Sequence, residues 1–170
     1  MKKYEKKTFY FLLITLMIIL IGSCNKDSED PELAESSNIA AFLAQYPTLN
    51  FEQKPSGLYY LDVEVGTGLL PATHDTAFIF YSVRLLDGRI LDTNFDTSDT
   101  LIMPVNEGLT ISGFEEGLSY MHEGGEVLLL VPSKLAYGAT GDIYGVVPPY
   151  TPILLNIALV KVKPGSSGKK

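Results

Sequence analysis

Two strand-like runs of this sequence meet at the dipeptide Asp87-Gly88, within the segment TAFIFYSVRLLDGRILDTN. The first run is rich in β-branched and aromatic residues, which favour strands. Asp-Gly between such runs is a strong signal for a tight β-hairpin, because the turn needs positive φ at its central residues. Any fold for this chain must therefore contain an antiparallel pair of strands near its middle.

Three other segments also resemble strands. GLYYLDVEVGTG alternates from Gly57 onward and ends on a Gly-Thr-Gly turn, and GGEVLLLVPS and TPILLNIALVKVK supply two more strands. Between them, SGFEEGLSYM places Ser112 three residues before Glu115, a capping-box spacing that predicts a short amphipathic helix. The sequence thus predicts an α+β domain built on an antiparallel sheet.

The first residues are predicted to be a secretory signal rather than part of this domain. The basic stretch MKKYEKK precedes an apolar run from Thr8 to Gly22 that is short for a membrane span. The run ends in small residues before Cys24, an arrangement that resembles the lipobox of bacterial lipoprotein precursors. We expect residues 1–23 to be a lipoprotein signal peptide and Cys24 to carry the lipid that anchors the chain to the membrane. The alternative, a lone unpaired thiol, is disfavoured in an oxidising compartment.

Charge limits the partners of the mature chain. Removing residues 1–23 takes away four lysines and one glutamate, which leaves 9 basic and 19 acidic side chains and a net charge of −10. This balance argues against nucleic acid and anionic lipid surfaces as partners. The acidic stretch after Cys24 resembles surface-export signals of some bacterial lipoproteins. The expected location is therefore the cell envelope, at the outer membrane, facing the periplasm or exposed at the surface.

Residues 24–56 are predicted to form an acidic tether with a short helix. NKDSEDPELAESS is polar and suits a flexible linker, whereas SSNIAAFLAQYP has apolar residues at helical spacing before Pro47. This helix would either dock on the following domain or form a dimer contact. The closing PGSSGKK is of low complexity, and residues 165–170 are predicted to be disordered.

Little in the sequence points to covalent or metal chemistry. One cysteine and two histidines, His74 and His122, exclude a Cys/His zinc site and give little support for a nucleophile with a histidine partner. Glu115 and Glu116 fall at the first turn of the predicted helix, where free amides stabilise carboxylates. We therefore predict no cofactor and no metal. The apolar residues that remain indicate either an ordinary core or a hydrophobic binding site.

Three ordered segments resemble the FKBP-type peptidyl-prolyl cis-trans isomerases. They are IFYSVRLLDGRILDTN, ISGFEEGLSYMHEGG and VPSKLAYGATG with the following VVPPYTPILLNIALVKV, and the likeness covers about residues 58–164. It implies an isomerase domain at 57–164, in which an antiparallel sheet of about five strands wraps around one short helix. It also implies prolyl isomerisation of proline-containing polypeptides, which would assist the folding of exported proteins at the bacterial envelope.

By position, the resemblance implies a catalytic pocket. The backbone N–H of Ile111 and the hydroxyl of Tyr137 would donate hydrogen bonds to substrate carbonyls. Phe114 would form the floor beneath the proline ring, and Asp92 would supply a polar wall. The full catalytic set implied is Tyr81, Asp92, Ile111, Phe114 and Tyr137.

Further residues are implied to contact substrate. The loop after Ala-Tyr-Gly would arch over the pocket and carry apolar side chains to its rim. Three positions where the family usually has phenylalanine are leucine here, namely Leu91, Leu101 and Leu155. Thr110 stands where the family usually has valine, and Phe114 replaces the commoner tryptophan. This less aromatic pocket leaves macrolide binding open. It also leaves open a non-catalytic FKBP-like binding module in a lipoprotein or motility complex, or a purely structural domain. The implied substrate-binding residues are Leu91, Leu101, Thr110, Tyr144, Val146, Val147, Tyr150 and Leu155.

Overall fold

The structure, a computed structural model, describes residues 30–165. The predicted signal peptide, the proposed lipidation site Cys24 and residues 166–170 of the predicted tail lie outside the described residues. Within residues 30–165, no helix is both long and apolar enough to span a membrane.

Two α-helices and seven strands make up the regular structure of the described part. Two single turns of 3-10 helix, Ser133–Leu135 and Gly138–Thr140, lie between the last two strands. The elements, in chain order, are α1 (Pro31–Gln45), β1 (Glu52–Gln53), β2 (Tyr59–Glu64), β3 (Thr76–Leu85), β4 (Ile90–Thr93), β5 (Leu101–Pro104), α2 (Ser112–Ser119), β6 (Glu126–Val131) and β7 (Ile153–Lys163).

The strands form one sheet in the order β1-β2-β6-β7-β3-β4, with β5 also paired to β3. Every pairing is antiparallel, which confirms the predicted α+β class. The sequence predicted about five strands, and the two that it missed are β1 and β5. These span two and four residues, too short for an alternating pattern to be recognised.

The predicted hairpin joins β3 to β4 at Asp87-Gly88. Gly88 has φ +89°, which is the backbone conformation that glycine adopts without a steric penalty. The turn is closed by a hydrogen bond from the Leu85 N–H to the Arg89 carbonyl at 2.9 Å. Beyond the turn, Val83 pairs with Asp92, so the hairpin sets which side chains of the two strands are neighbours.

Helix α2 packs very closely against one face of the sheet. Leu118 is fully buried, and a Cβ placed on Gly117 would lie 2.3 Å from Leu129 of β6. Glycine is therefore required for this approach. The helix lies where it was predicted, but the predicted capping box is wrong: Ile111 occupies the N-cap, and the Ser112 hydroxyl instead donates to the Leu135 carbonyl.

Helix α1 packs against the opposite face of the same sheet. Its Ile39 and Phe42 are buried together with Leu130, whose neighbour Leu129 points to the α2 side, as strand alternation requires. The helix is longer than predicted because it begins at Pro31, a favourable first helical residue. The stretch Pro31–Glu35, predicted as part of the flexible tether, is thus helical.

Candidate active site

A cleft lies between α2, the β3–β4 hairpin and the loop 141–147. Its inner part is a cavity of about 610 Å³ over Phe114, and its outer part is a cavity of about 560 Å³ beneath the loop. The two parts share Val83, Asp92 and Tyr137 as lining residues, so they form one continuous site. Apolar side chains supply most of the lining, which suits a ligand with an apolar ring.

The cleft brings together twelve of the thirteen predicted site residues. The five implied catalytic residues all line the inner part, with Leu101, Thr110 and Leu155. The outer part has Leu91, Tyr144, Val146 and Val147 among its lining residues.

Tyr150, predicted at the rim, does not line the cleft. It lines a separate cavity between α1 and the segment 132–139. Its N–H donates to the Gly138 carbonyl at 2.9 Å and its φ is +52°, so the chain turns away from the cleft at this residue. A left-handed residue in a loop has no periodic sequence signature, which explains why the position was mispredicted.

Tyr81 and Asp92 form the polar wall of the inner part. The Tyr81 hydroxyl donates to the Asp92 carboxylate at 2.7 Å, and the Tyr81 ring meets Phe114 edge to face with centroids 6.5 Å apart. Burial, reinforced by the hydrogen bond and the negative charge of Asp92, raises the pKa of Tyr81 to about 12. Tyr81 is therefore neutral, and its hydroxyl keeps its proton while donating a hydrogen bond to Asp92.

Thr93 and Asn94, which follow Asp92 in the chain, hold Tyr81 in place. The sequence did not reveal this role. The Asn94 side chain accepts from the Tyr81 N–H at 2.6 Å and donates to the Ile79 carbonyl at 3.1 Å. The Thr93 hydroxyl donates to the Tyr81 carbonyl at 3.0 Å. These bonds fix the backbone of β3 just where it presents Tyr81 to the cleft.

The two predicted hydrogen-bond donors have no partners within residues 30–165. Ile111 precedes α2 in an extended conformation, φ −63° and ψ 146°, and its N–H reaches no acceptor there. The Tyr137 hydroxyl is likewise unbonded within this range, and burial, helped by the charges of Asp142 and Asp92, raises the pKa of Tyr137. The cleft thus presents two free donors, one from the backbone and one from a side chain.

The floor of the inner part belongs to the hydrophobic core. Phe114 and Leu155 are both buried, so the floor is held rigidly. Five lining residues of the inner part were not predicted as site residues: Val83, Leu109, Ser112, Ala136 and Ile153. Val83 follows Tyr81 by two positions, so strand alternation was a usable signal for it.

Asp142 organises the loop over the outer part. Its carboxylate accepts from the Val147 N–H at 2.5 Å and from the Tyr144 N–H at 3.0 Å. The bond from Val147 is the largest cause of the lowered pKa of Asp142. Tyr144 and Ile143 are exposed at 83% and 90%, so the loop holds apolar side chains out beside the cleft. Aspartate at the start of a turn is the local signal that would have revealed this role.

The described residues hold no cluster of three or more His, Cys, Asp or Glu that could bind a metal ion. The cleft combines an apolar floor, a polar wall and two donors that have no partner within residues 30–165. Such a site can bind an apolar ring and hold nearby carbonyl groups.

Comparison with known proteins identifies relatives over most of the chain. The sequence profile of the family FKBP-type peptidyl-prolyl cis-trans isomerase matches residues 69–160. The macrophage infectivity potentiator of Trypanosoma cruzi is 31% identical, over 99% of this chain and 89% of that protein. The FKBP-type peptidyl-prolyl cis-trans isomerase FkpA of Escherichia coli is 34% identical over 64% of this chain, but over only 39% of its own length.

Solved structures show the same fold. A peptidyl-prolyl cis-trans isomerase from Pseudomonas syringae pv. tomato superposes with a TM-score of 0.68 at 26% identity, covering 84% of this chain and 100% of that one. The crystal structure of FkpA from Escherichia coli gives a TM-score of 0.69 at 25% identity, covering 96% of this chain and 74% of that one.

Proposed function

The chain belongs to the FKBP-type peptidyl-prolyl cis-trans isomerases, and we propose that the cleft over Phe114 is its catalytic site. The groups that act there are Tyr81, Asp92, Ile111, Phe114 and Tyr137. The observation that carries this assignment is a pair of donors above an apolar floor, the Ile111 N–H and the Tyr137 hydroxyl, neither of which has a partner among the described residues.

The reaction needs no nucleophile. The bond before proline prefers trans by less than about 1 kcal/mol, yet rotation crosses a barrier of roughly 18–20 kcal/mol because it breaks amide resonance. The twisted amide has lost much of its charge separation. It therefore tolerates removal from water better than the planar amide does, and an apolar cleft favours the transition state over the ground state.

The donors hold the substrate while its prolyl bond rotates. With the proline ring over Phe114, the Ile111 N–H and the Tyr137 hydroxyl bond carbonyls of the bound peptide. The Tyr81 hydroxyl already donates to Asp92 at 2.7 Å, so Tyr81 and Asp92 shape the wall rather than compete for those carbonyls. The exposed apolar side chains of the loop contact residues flanking the proline.

We also propose where the enzyme acts. The basic and apolar N-terminal sequence before Cys24 supports export and lipid attachment at the cell envelope, with exported proline-containing proteins as substrates. Prolyl isomerisation takes tens of seconds or more without a catalyst and limits the folding of such proteins. Fatty-acid labelling of cells expressing the chain tests the anchor. Label in the wild type that disappears in Cys24→Ala supports it, and an unlabelled wild type contradicts it.

The catalytic proposal is tested with tetrapeptides Ala-Xaa-Pro-Phe that carry Leu, Phe, Lys or Glu at Xaa. The full-length chain in detergent should accelerate cis-to-trans exchange, measured by NMR, with at least one of them. A folded sample that binds these peptides without acceleration would mean a binding module, and one that does not bind them would mean that the cleft takes no proline.

A further inference from the structure

We propose that Glu35, on α1, is a positioning residue for Tyr137, so that the helix docked on the far face of the sheet takes part in catalysis. The inference rests on the function proposed above, because it concerns the geometry of a donor in that cleft. It assigns a role to a buried carboxylate that the catalytic site itself does not use.

Glu35 is 8% exposed, which is rare for a carboxylate. Both of its oxygens bind one residue: Oε1 accepts from the Ser133 N–H and Oε2 from the Ser133 hydroxyl, each at 2.5 Å. Ser133 is itself buried, at 3% exposure. Glu35 and Ser133 are 98 positions apart in the sequence, so this pair joins two remote segments of the chain.

Ser133 begins the short turn that delivers Tyr137 to the cleft. The turn Ser133–Leu135 is closed by the Ala136 N–H, which donates to the Ser133 carbonyl at 2.8 Å. Ala136 and Tyr137 follow directly, and both line the inner part of the cleft. A shift of Ser133 is therefore passed to Tyr137 through one hydrogen-bonded turn.

The other end of this turn is held by the segment that carries the second donor. The Ser112 hydroxyl donates to the Leu135 carbonyl at 3.3 Å, and Ser112 follows Ile111 in the chain. Glu35 thus fixes the start of the turn, while Ser112 fixes its end beside the Ile111 N–H. The distance between the two donors depends on both attachments.

Docking alone does not account for a carboxylate at this position. The contacts of Ile39 and Phe42 with Leu130 already bury an apolar face of α1. A buried carboxylate carries a large desolvation cost unless hydrogen bonds satisfy it, and here every contact that satisfies it goes to the turn before Tyr137. The two hydrogen bonds of Glu35 therefore hold the turn Ser133–Leu135 in place.

The test measures kcat and KM of full-length variants on a tetrapeptide substrate. Glu35→Ala should lower kcat about tenfold and change KM less than about twofold, since misplacing a positioned group by 1 Å can cost about a hundredfold. Glu35→Gln should recover most of the rate, because its amide can still accept from the Ser133 N–H and donate to the hydroxyl. Ser133→Ala keeps the N–H, so its kcat should lie between those of Glu35→Ala and Glu35→Gln. It replaces Glu35→Ala in the test if that variant does not fold.

A double-mutant cycle separates positioning from general destabilisation. In a Tyr137→Phe background, Glu35→Ala should lower kcat by less than a further factor of about two, because the donor that Glu35 positions is already gone. The control Ser36→Ala, whose hydroxyl bonds only within α1, should leave kcat unchanged.

The outcomes distinguish this inference from the proposed function. An active wild type that is slowed by Tyr137→Phe but not by Glu35→Ala would overturn the role of Glu35 alone. Full additivity of the two losses would do the same. A folded wild type without activity would instead contradict the catalytic proposal and this inference with it.

Discussion

At the scale of single residues, Tyr81 and Tyr137 determine how the enzyme should respond to pH. Burial raises the pKa of Tyr81 to about 12 and also raises the pKa of Tyr137, so folding favours their protonated forms. Their contribution to stability is thus fully present below the ordinary tyrosine pKa of about 10 and is lost as pH rises through the raised values. We predict that kcat/KM is constant between about pH 7 and 9. A fall centred near pH 8 would contradict this protonation scheme.

Thr110 gives a second prediction at this scale. Its hydroxyl is buried and lacks a hydrogen-bond partner among the described residues. Such a group costs about 1–3 kcal/mol, so Thr110→Val should raise the free energy of unfolding by about 1 kcal/mol in urea titrations. Thr93→Val is the matched control, because the Thr93 hydroxyl donates to the Tyr81 carbonyl and its loss should destabilise the fold. Equal destabilisation by both changes would show that the Thr110 hydroxyl is satisfied.

At the scale of elements, the loop over the outer cleft depends on Asp142. Asp142→Ala removes the acceptor of two loop amides, so binding must then order the loop, and KM should rise about three- to tenfold with little change in kcat. The lowered pKa of Asp142 means that its contribution is present above the ordinary aspartate pKa of about 4 and is lost only as pH falls through the lowered value. KM should therefore be flat from about pH 5 to 8. A kcat loss without a KM change would place Asp142 in the chemical step instead.

Elements also show what the sequence could and could not predict. β3, β6 and β7 each contain six or more residues that are mostly apolar, and the Asp87-Gly88 turn is encoded in two neighbouring residues, so all were predictable. The cleft residues followed from the resemblance of three segments to the FKBP-type isomerases, and the residue pattern alone indicated only a possible hydrophobic site. The bonds of Glu35 to Ser133 have no local signature, because the partners are 98 positions apart and meet only after α1 docks. Tyr150 was misplaced for a related reason, since its direction depends on one left-handed backbone angle.

At the scale of the whole molecule, α1 and the sheet should unfold together. Phe42 is buried between α1 and the sheet, so Phe42→Ala should lower the free energy of unfolding by about 2–4 kcal/mol within a single transition. Leu33→Ala on the same helix, where the side chain is 69% exposed, should change it by less than about 0.5 kcal/mol. Chemical denaturation followed by circular dichroism checks both. Two separate transitions would show that α1 is not part of the cooperative unit.

The central claim is that two free donors over an apolar floor catalyse prolyl isomerisation, and Tyr137→Phe tests it most directly. Loss of a donor to a desolvated carbonyl should cost about 1–3 kcal/mol, so turnover of an Ala-Leu-Pro-Phe peptide should slow by roughly one to two decades. Tyr46→Phe, at an exposed position just after the end of α1, should match the wild type. Unchanged turnover in a folded Tyr137→Phe enzyme would remove that hydroxyl from the mechanism and contradict the account.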